Sequence, residues 1–235
     1  MYYGIIIEMA EQIYTLQLKK KDLIIVAILG EIVGVLGYAI VNAQPTLSGL
    51  FAKFLPQGLL MPLFVVGVPI AAVCALLVAY ILAKKVNPIF FQMGKFAAVG
   101  FSNTAIDWGI LNIILAGFGF AVGTSLYPAG KAISFAFATL NSFVWNRFWS
   151  FEKKGTSNLG KEALQFYIFT GIGLVINVIV ATNIARISPE SKLWAGVIAP
   201  ALATATSMVW NFTAYKFFVF KKPASQKMGQ AQIPQ

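Results

Sequence analysis

A carboxylate within a long apolar stretch is the most chemically distinctive feature of this sequence. Asp107 lies in the run of residues 95–117, with Asn103 one helical turn before it. A charged carboxylate inside a membrane-spanning helix costs about 2.5–3.5 kcal/mol on insertion scales, so it should face other helices and be paired or protonated. Two interpretations stay open: a polar cavity for a ligand or a proton, or an interhelical hydrogen bond that fixes packing.

Other polar side chains extend this pattern into the neighbouring apolar segments. Three of them are asparagines: Asn141, Asn177 and Asn211. Each is expected to bond across helices, with an average gain of about 0.6 kcal/mol, or to line a polar path. Lys131 either extends to the membrane interface or reaches inward to Asp107 or a phosphate. Glu31, in the first apolar segment, would pair with a cation such as Lys131 or be protonated.

Two apolar segments end in similar aromatic and cationic sequences. The first exit is NRFWSF, at residues 146–151, and the second is YKFFVF, at residues 215–220. Arg147 and Lys216 occupy matched positions in them. Positive charge and aromatic rings at a membrane interface explain both exits. The alternative is that these cations hold a lipid phosphate, for which the planar guanidinium of Arg is well suited.

The composition indicates a membrane protein without catalytic chemistry. Of the 235 residues, 58% are hydrophobic and 11% are charged, whereas soluble domains average about 25% charged residues. The sequence contains no His and one Cys, and it shows no phosphate-binding glycine loop or metal-ligand cluster. We therefore expect no enzyme activity, no metal and no cofactor. The net charge of +10 clusters beside apolar segments, so nucleic-acid binding is not expected.

The apolar runs predict an all-α bundle of six transmembrane helices. They are residues 23–43, 59–83, 95–117, 129–148, 162–184 and 193–214. Residues 1–18 suggest an interfacial helix, residues 44–57 a loop, and the polar tail from residue 223 a disordered segment. We divide the chain into an N-terminal segment of two helices (1–93), a four-helix core (94–222) and the tail (223–235).

The distribution of Lys and Arg predicts the orientation. With the N-terminus inside, the inner segments hold 14 of these residues and the outer segments hold 4. Because positive residues are retained on the cytoplasmic side, both termini are expected there, at the plasma membrane of the cell envelope.

The core is also predicted to contain an internal repeat. When Lys95 is placed beside Gln165, Asp107 falls on Asn177 with an offset of 70, and the two exits align with an offset of 69. Each unit crosses the membrane and returns, so the two units form a parallel two-helix repeat related by an axis along the membrane normal.

Residues 94–222 resemble the GtrA-like family of small polytopic membrane proteins. The resemblance rests on GKFAAVGFSNTAIDWGILNIIL in the third segment, on the stretch from Lys131 to Phe151, and on WNFTAYKFFVF at the end. Residues 1–93 add two helices that four-helix members lack. The resemblance implies a role in moving polyprenyl-phosphate-linked sugars across the membrane or in assisting glycosyltransferases. It also implies a functional acid at Asp107, where the family usually has one.

We therefore expect a translocator (flippase) of a polyprenyl-phosphate-linked sugar in cell-surface polysaccharide biosynthesis. The candidate substrate-binding residues are Asn103, Asp107, Lys131, Asn141, Arg147, Asn177, Asn211 and Lys216. Expected partners are membrane lipid and the lipid-linked sugar, with a glycosyltransferase or a second copy of the chain left open. The alternatives are a non-catalytic scaffold that anchors a glycosyltransferase, or a small proton-coupled exchanger that uses Glu31 or Asp107.

Overall fold

The predicted helical class is confirmed over the part of the chain that the structure describes. The computed structural model describes residues 13, 15–43, 45–56, 58–118, 127–153, 155, 158–187 and 199–221. All regular secondary structure in these ranges is helical. The predicted interfacial helix at the N-terminus and the predicted disordered tail lie largely outside them.

In the described part of the chain, six of seven helices coincide with the six predicted segments, and the short helix Pro45–Ala52 is the exception. The helices are α1 (Lys20–Ala43), α2 (Pro45–Ala52), α3 (Leu60–Lys85), α4 (Ile89–Phe118), α5 (Tyr127–Trp145), α6 (Leu159–Ala185) and α7 (Ala199–Ala214). Among the described residues, α1, α3 and the first part of α6 are long and apolar enough to cross a membrane. The count of six spans stays a prediction.

The prediction of a loop over residues 44–57 is wrong for its first half. Residues Pro45–Ala52 form the short helix α2. Proline at the first helical position is favourable because its fixed φ suits the helix and its missing N–H would have no partner there. Pro45 therefore begins a helix instead of lying in a loop.

Glycines allow α1 to pack closely against α3. A Cβ on Gly30 would lie 2.8 Å from the Pro69 Cα atom, and Gly34 lies directly against the Phe64 carbonyl. No side chain larger than hydrogen fits at these contacts, as expected where small residues bring membrane helices together. In α3 the turn Leu63–Gly67 is π-helical, and turns of this type are a recognised cause of helix kinks.

Both aromatic exits share one backbone conformation. The helix α5 continues into the π-helical turn Asn146–Ser150, and α7 continues into the π-helical turn Tyr215–Val219. These turns begin 69 residues apart, which is the offset that aligns the two exits in the sequence. A rare helical form at matched positions supports the predicted internal repeat.

The chain forms two compact units, residues 1–150 and 151–235. The first unit contains α1 to α5, with α1 packed against α3 and α4, and α4 packed against α5. The second unit contains the paired helices α6 and α7. The boundary falls before the last residue of the first exit, so Phe151 belongs to the second unit.

Candidate functional site

Asp107 has a partner on the neighbouring helix of its own repeat. The Ser134 hydroxyl of α5 donates a hydrogen bond of 2.7 Å to Asp107 Oδ1 of α4. Ser134 is fully buried, and Asp107 is half-buried. Because an unpaired polar group inside an apolar bundle is costly, this bond helps to hold α4 and α5 together. The expectation that Asp107 faces another helix is confirmed.

Polar atoms with no hydrogen-bond partner among the described residues lie on the same two helices. They are Asn103 Oδ1 and Ser102 Oγ on α4, and Asn141 Nδ2 on α5. Leaving a buried polar group unsatisfied costs about 1–3 kcal/mol, so such atoms favour water or a polar ligand. Since Asn103 is one turn from Asp107, this part of the first unit has unused capacity for hydrogen bonding.

The second unit contains a neutral counterpart of the Asp107 contact. Asn177 of α6 donates a hydrogen bond of 3.3 Å to Ser207 Oγ of α7, and Ser207 donates one of 3.0 Å to the Thr204 carbonyl. Nearby, a Cβ on Gly173 would lie 2.9 Å from Asn211 Cγ. Asn211 Oδ1 is buried and has no hydrogen-bond partner among the described residues.

The two exit cations differ in their environments. Arg147 is 1% exposed, and its guanidinium carbon lies 4.8 Å from the centroid of the Phe148 ring. Lys216 is half-buried, with its ammonium nitrogen 5.7 Å from the Phe212 ring and 5.9 Å from the Phe217 ring. Burial lowers the pKa of Lys216 from its usual value. A partly desolvated ammonium gains more from an approaching anion than a hydrated one does.

Of two further residues proposed from the sequence, Lys131 and Glu31, the structure describes the side chain of Glu31 only. Lys131 belongs to α5, but its side chain lies outside the described residues, so pairing with Glu31 or Asp107 stays a prediction. Glu31 lines an open groove of about 430 Å³ on α1. The other residues of this groove are all apolar: Ile28, Ile32, Val35 and Leu36.

A buried network of charges in the first unit was not predicted from the sequence. The ammonium of Lys95 on α4 lies 2.9 Å from Asp22 Oδ1 at the start of α1. The Trp149 indole N–H in the first exit donates a bond of 2.9 Å to the same oxygen. Asp22 Oδ2 accepts a bond of 3.0 Å from the Lys19 backbone N–H. All three side chains are buried, and the Lys95 ammonium also lies 4.5 Å from the Phe91 ring centroid.

Sequence reasoning missed this network because its members are far apart in the chain. Asp22 directly follows three lysines, which makes it look like part of a solvated interface. One local signal was present: an acid at the third position of a helix commonly accepts a bond from the backbone N–H of the cap residue. Asp22 and Lys19 have this relation at the start of α1. The pairing with Lys95 and Trp149 depends on how α1, α4 and the exit of α5 approach one another.

The exit in the second unit is surrounded by aromatic rings instead. Phe166 of α6 stacks on Tyr215, with 4.3 Å between ring centroids, and Phe151 and Phe220 complete the cluster. The Tyr215 hydroxyl lies 2.6 Å from the Thr170 hydroxyl, and burial raises the pKa of Tyr215. These rings are buried against one another, so they have a structural role.

An ion pair lies beside this cluster. Lys153 pairs with Glu162 at 3.2 Å and donates a bond of 2.8 Å to the Lys221 carbonyl. It therefore ties the segment after residue 150 to the beginning of α6 and to the end of the second exit.

Comparison with known proteins identifies the family of this chain. The sequence model of the family described as GtrA/DPMS, transmembrane domain, matches residues 95–220, which is more than half of the chain. The chain is similar to the uncharacterized membrane protein YngA of Bacillus subtilis (strain 168), with 31% identity over 131 residues. That alignment covers 54% of this chain and 78% of YngA. No solved structure matches. With its family region spanning both helix pairs and both exits, this chain belongs to the GtrA/DPMS transmembrane-domain family of membrane proteins.

Proposed function

We propose that this protein translocates a polyprenyl-phosphate-linked sugar between membrane leaflets, without catalysing a chemical reaction. The observation that carries the proposal is the polar lining of apolar helices in a member of this family. Asp107 bonds to Ser134, while Asn103 and Asn141 keep buried polar atoms without partners in the described part of the chain. Amide and carboxylate groups of this kind can exchange hydrogen bonds with the hydroxyls of a sugar.

The phosphate would be met by the cations of the exits. Lys216 is half-buried and lies against ring faces, so its charge is partly desolvated but accessible. Arg147 is buried within the first exit, and its guanidinium could bind two phosphate oxygens once a headgroup enters. The prenyl chain would remain in lipid, because moving it from lipid into protein would give no gain in hydrophobic free energy.

The proposed orientation follows from the distribution of Lys and Arg. With 14 of 18 on one side, both exits and both termini would face the cytoplasm. The exits would then meet lipid-linked sugars that are made on the cytoplasmic leaflet of the plasma membrane. A glycosyltransferase that makes or uses this lipid is the expected protein partner.

Reconstitution into proteoliposomes tests this function. A fluorescent short-chain polyprenyl-phosphate sugar is placed in both leaflets, and its accessibility to an external quencher is followed over time. We expect Asp107→Asn to slow the exchange by about tenfold or more, because a hydrogen bond to a charged group contributes about 1.5–3 kcal/mol. Thr104→Val is the matched control, since Thr104 is an exposed residue of α4 that bonds only to the Gly100 carbonyl among the contacts described.

Two results would count against the translocator. If Asp107→Asn and Arg147→Ala both exchange the probe at the rate of the unmodified protein, the proposed polar path is not used. If the unmodified protein itself exchanges no probe and instead copurifies with a glycosyltransferase, the scaffold function replaces the translocator.

A further inference from the structure

The Asp22 carboxylate occupies a position where α4 and the first exit both contribute hydrogen-bond donors, which favours an anion there. Its Oδ1 atom accepts both the Lys95 ammonium and the Trp149 indole N–H, each at 2.9 Å. Two donors from separate elements thus converge on one oxygen in a buried site. A buried ammonium is costly without a negative partner, so this position will not stay empty of an anion.

The donors and the carboxylate belong to different parts of the chain. The family match begins at Lys95 and includes Trp149, whereas Asp22 lies in the segment that precedes the match. The family region therefore supplies the cation and the N–H group, and the additional segment supplies the anion. The matched positions of the second repeat hold Gln165 and Phe218, so only the first repeat has this donor pair.

We propose that Lys95 and Trp149 form a binding site for a phosphate oxyanion, and that Asp22 of α1 occupies this site as an internal competitor. The Ser150 hydroxyl lies on the same π-helical turn as Trp149. It is buried and has no hydrogen-bond partner within the described ranges. The Lys95 ammonium and the Trp149 indole N–H are both donors, so together they match the acceptor-only oxygens of a phosphate.

This site deepens the proposed function and rests on it for the source of the phosphate. A lipid headgroup that displaced Asp22 would also loosen the first turn of α1, since Asp22 anchors that turn to α4 and to the first exit. The segment before residue 95 would thereby respond to occupation of the family core.

Phosphate binding by the full chain in a neutral maltoside detergent tests the competitor. The probes are inorganic phosphate and dodecyl phosphate, and the measurement is the line width of the ³¹P resonance during titration. We expect Asp22→Asn to bind dodecyl phosphate about tenfold or more tightly than the unmodified protein, because a competitor lowers apparent affinity by the fraction of time it fills the site. Asp22→Asn combined with Lys95→Gln should lose this gain.

A matched control and two probe arms make the result specific. Glu31→Gln neutralises another carboxylate of α1 that lines a separate groove, and it should bind as the unmodified protein does. Tighter binding of both probes by Asp22→Asn identifies a site for free phosphate as well as for lipid. Tighter binding of dodecyl phosphate alone identifies a site for a lipid headgroup. Equal binding by Asp22→Asn and the unmodified protein, or unchanged binding by the double variant, overturns the proposal.

Hydrogen exchange on the unmodified protein gives a second test that does not depend on the stability of a variant. Saturating dodecyl phosphate should accelerate amide exchange in residues 20–26 at the start of α1. Unchanged protection at saturation would overturn the proposal. Neither experiment measures transport, so a negative result here leaves the flipping assay standing, and a failed flipping assay leaves this site standing.

Discussion

In the first helix pair, α4 and α5 are joined through the carboxylate of Asp107 and the hydroxyl of Ser134, at 2.7 Å. In the second pair, α6 and α7 are joined through the amide of Asn177 and the hydroxyl of Ser207, at 3.3 Å. Asp107 and Asn177 are matched positions of the repeat. Both pairs are therefore joined by a hydrogen bond between a polar side chain and a serine, but only the first pair has an ionisable group in this contact.

The two exits also differ in the chemistry of their side chains. The π-helical turn is present in both, but the first contributes Trp149 to a buried ion pair, whereas the second packs Tyr215 into a cluster of rings. Backbone geometry has been retained while side-chain chemistry has diverged. The first pair thus has an ionisable group at its interhelical contact, whereas the second pair has a neutral amide there and an aromatic cluster at its exit.

The largest effect is expected from breaking the buried charged network that joins α1 to the first pair. Asp22→Asn leaves Lys95 buried without its carboxylate, which should lower the free energy of unfolding by about 3–5 kcal/mol. Denaturant titration in mixed micelles measures this. Replacing both charges, with Asp22→Leu and Lys95→Met, should recover most of the loss, because apolar residues of similar size often replace a buried pair without cost. If the double variant is as unstable as the single one, the ion pair is not the cause.

An intermediate effect is expected from replacing a glycine of the second pair at a position where the first pair has a larger residue. Gly173 matches Asn103 in the repeat, and Gly173→Ala would place a methyl group against the Asn211 amide. We expect a loss of about 1–3 kcal/mol, as for other overpacked sites. Gly171→Ala is the matched control, since a Cβ there meets nothing within 4 Å. Adding Asn211→Ala to Gly173→Ala should restore stability, and failure to do so would place the clash elsewhere.

The two serines compare the pairs directly, and Ser207→Ala should have the smallest effect of these changes. Ser134→Ala removes a short bond to a carboxylate and should cost about 1.5–3 kcal/mol if Asp107 is charged. Ser207→Ala removes the longer bond from an amide and should cost about 0.6 kcal/mol. Unfolding in the same micelles measures both. Equal losses would remove the main energetic difference between the pairs.

The sequence allowed the positions of the helices to be predicted because each is encoded locally. Apolar runs of sufficient length, ended by Lys, Gly or Pro, gave segments that the helices α1, α3, α4, α5, α6 and α7 reproduce. The repeated exits were also visible as matched aromatic and cationic residues. The π-helical form of both exits was not, because a π turn differs from an α turn by one residue of hydrogen-bond offset that residue types do not specify.

The sequence by itself determined that the chain consists of apolar helices and that Asp107 must find a partner, because transfer of a residue into hydrocarbon depends on that residue and its neighbours. Only the tertiary structure decided which partners are used. Asp107 accepts a hydrogen bond from Ser134, and a charged pair forms between Asp22 and Lys95. Those choices depend on the approach of helices that are distant in sequence, and residue spacing within one helix does not contain that information.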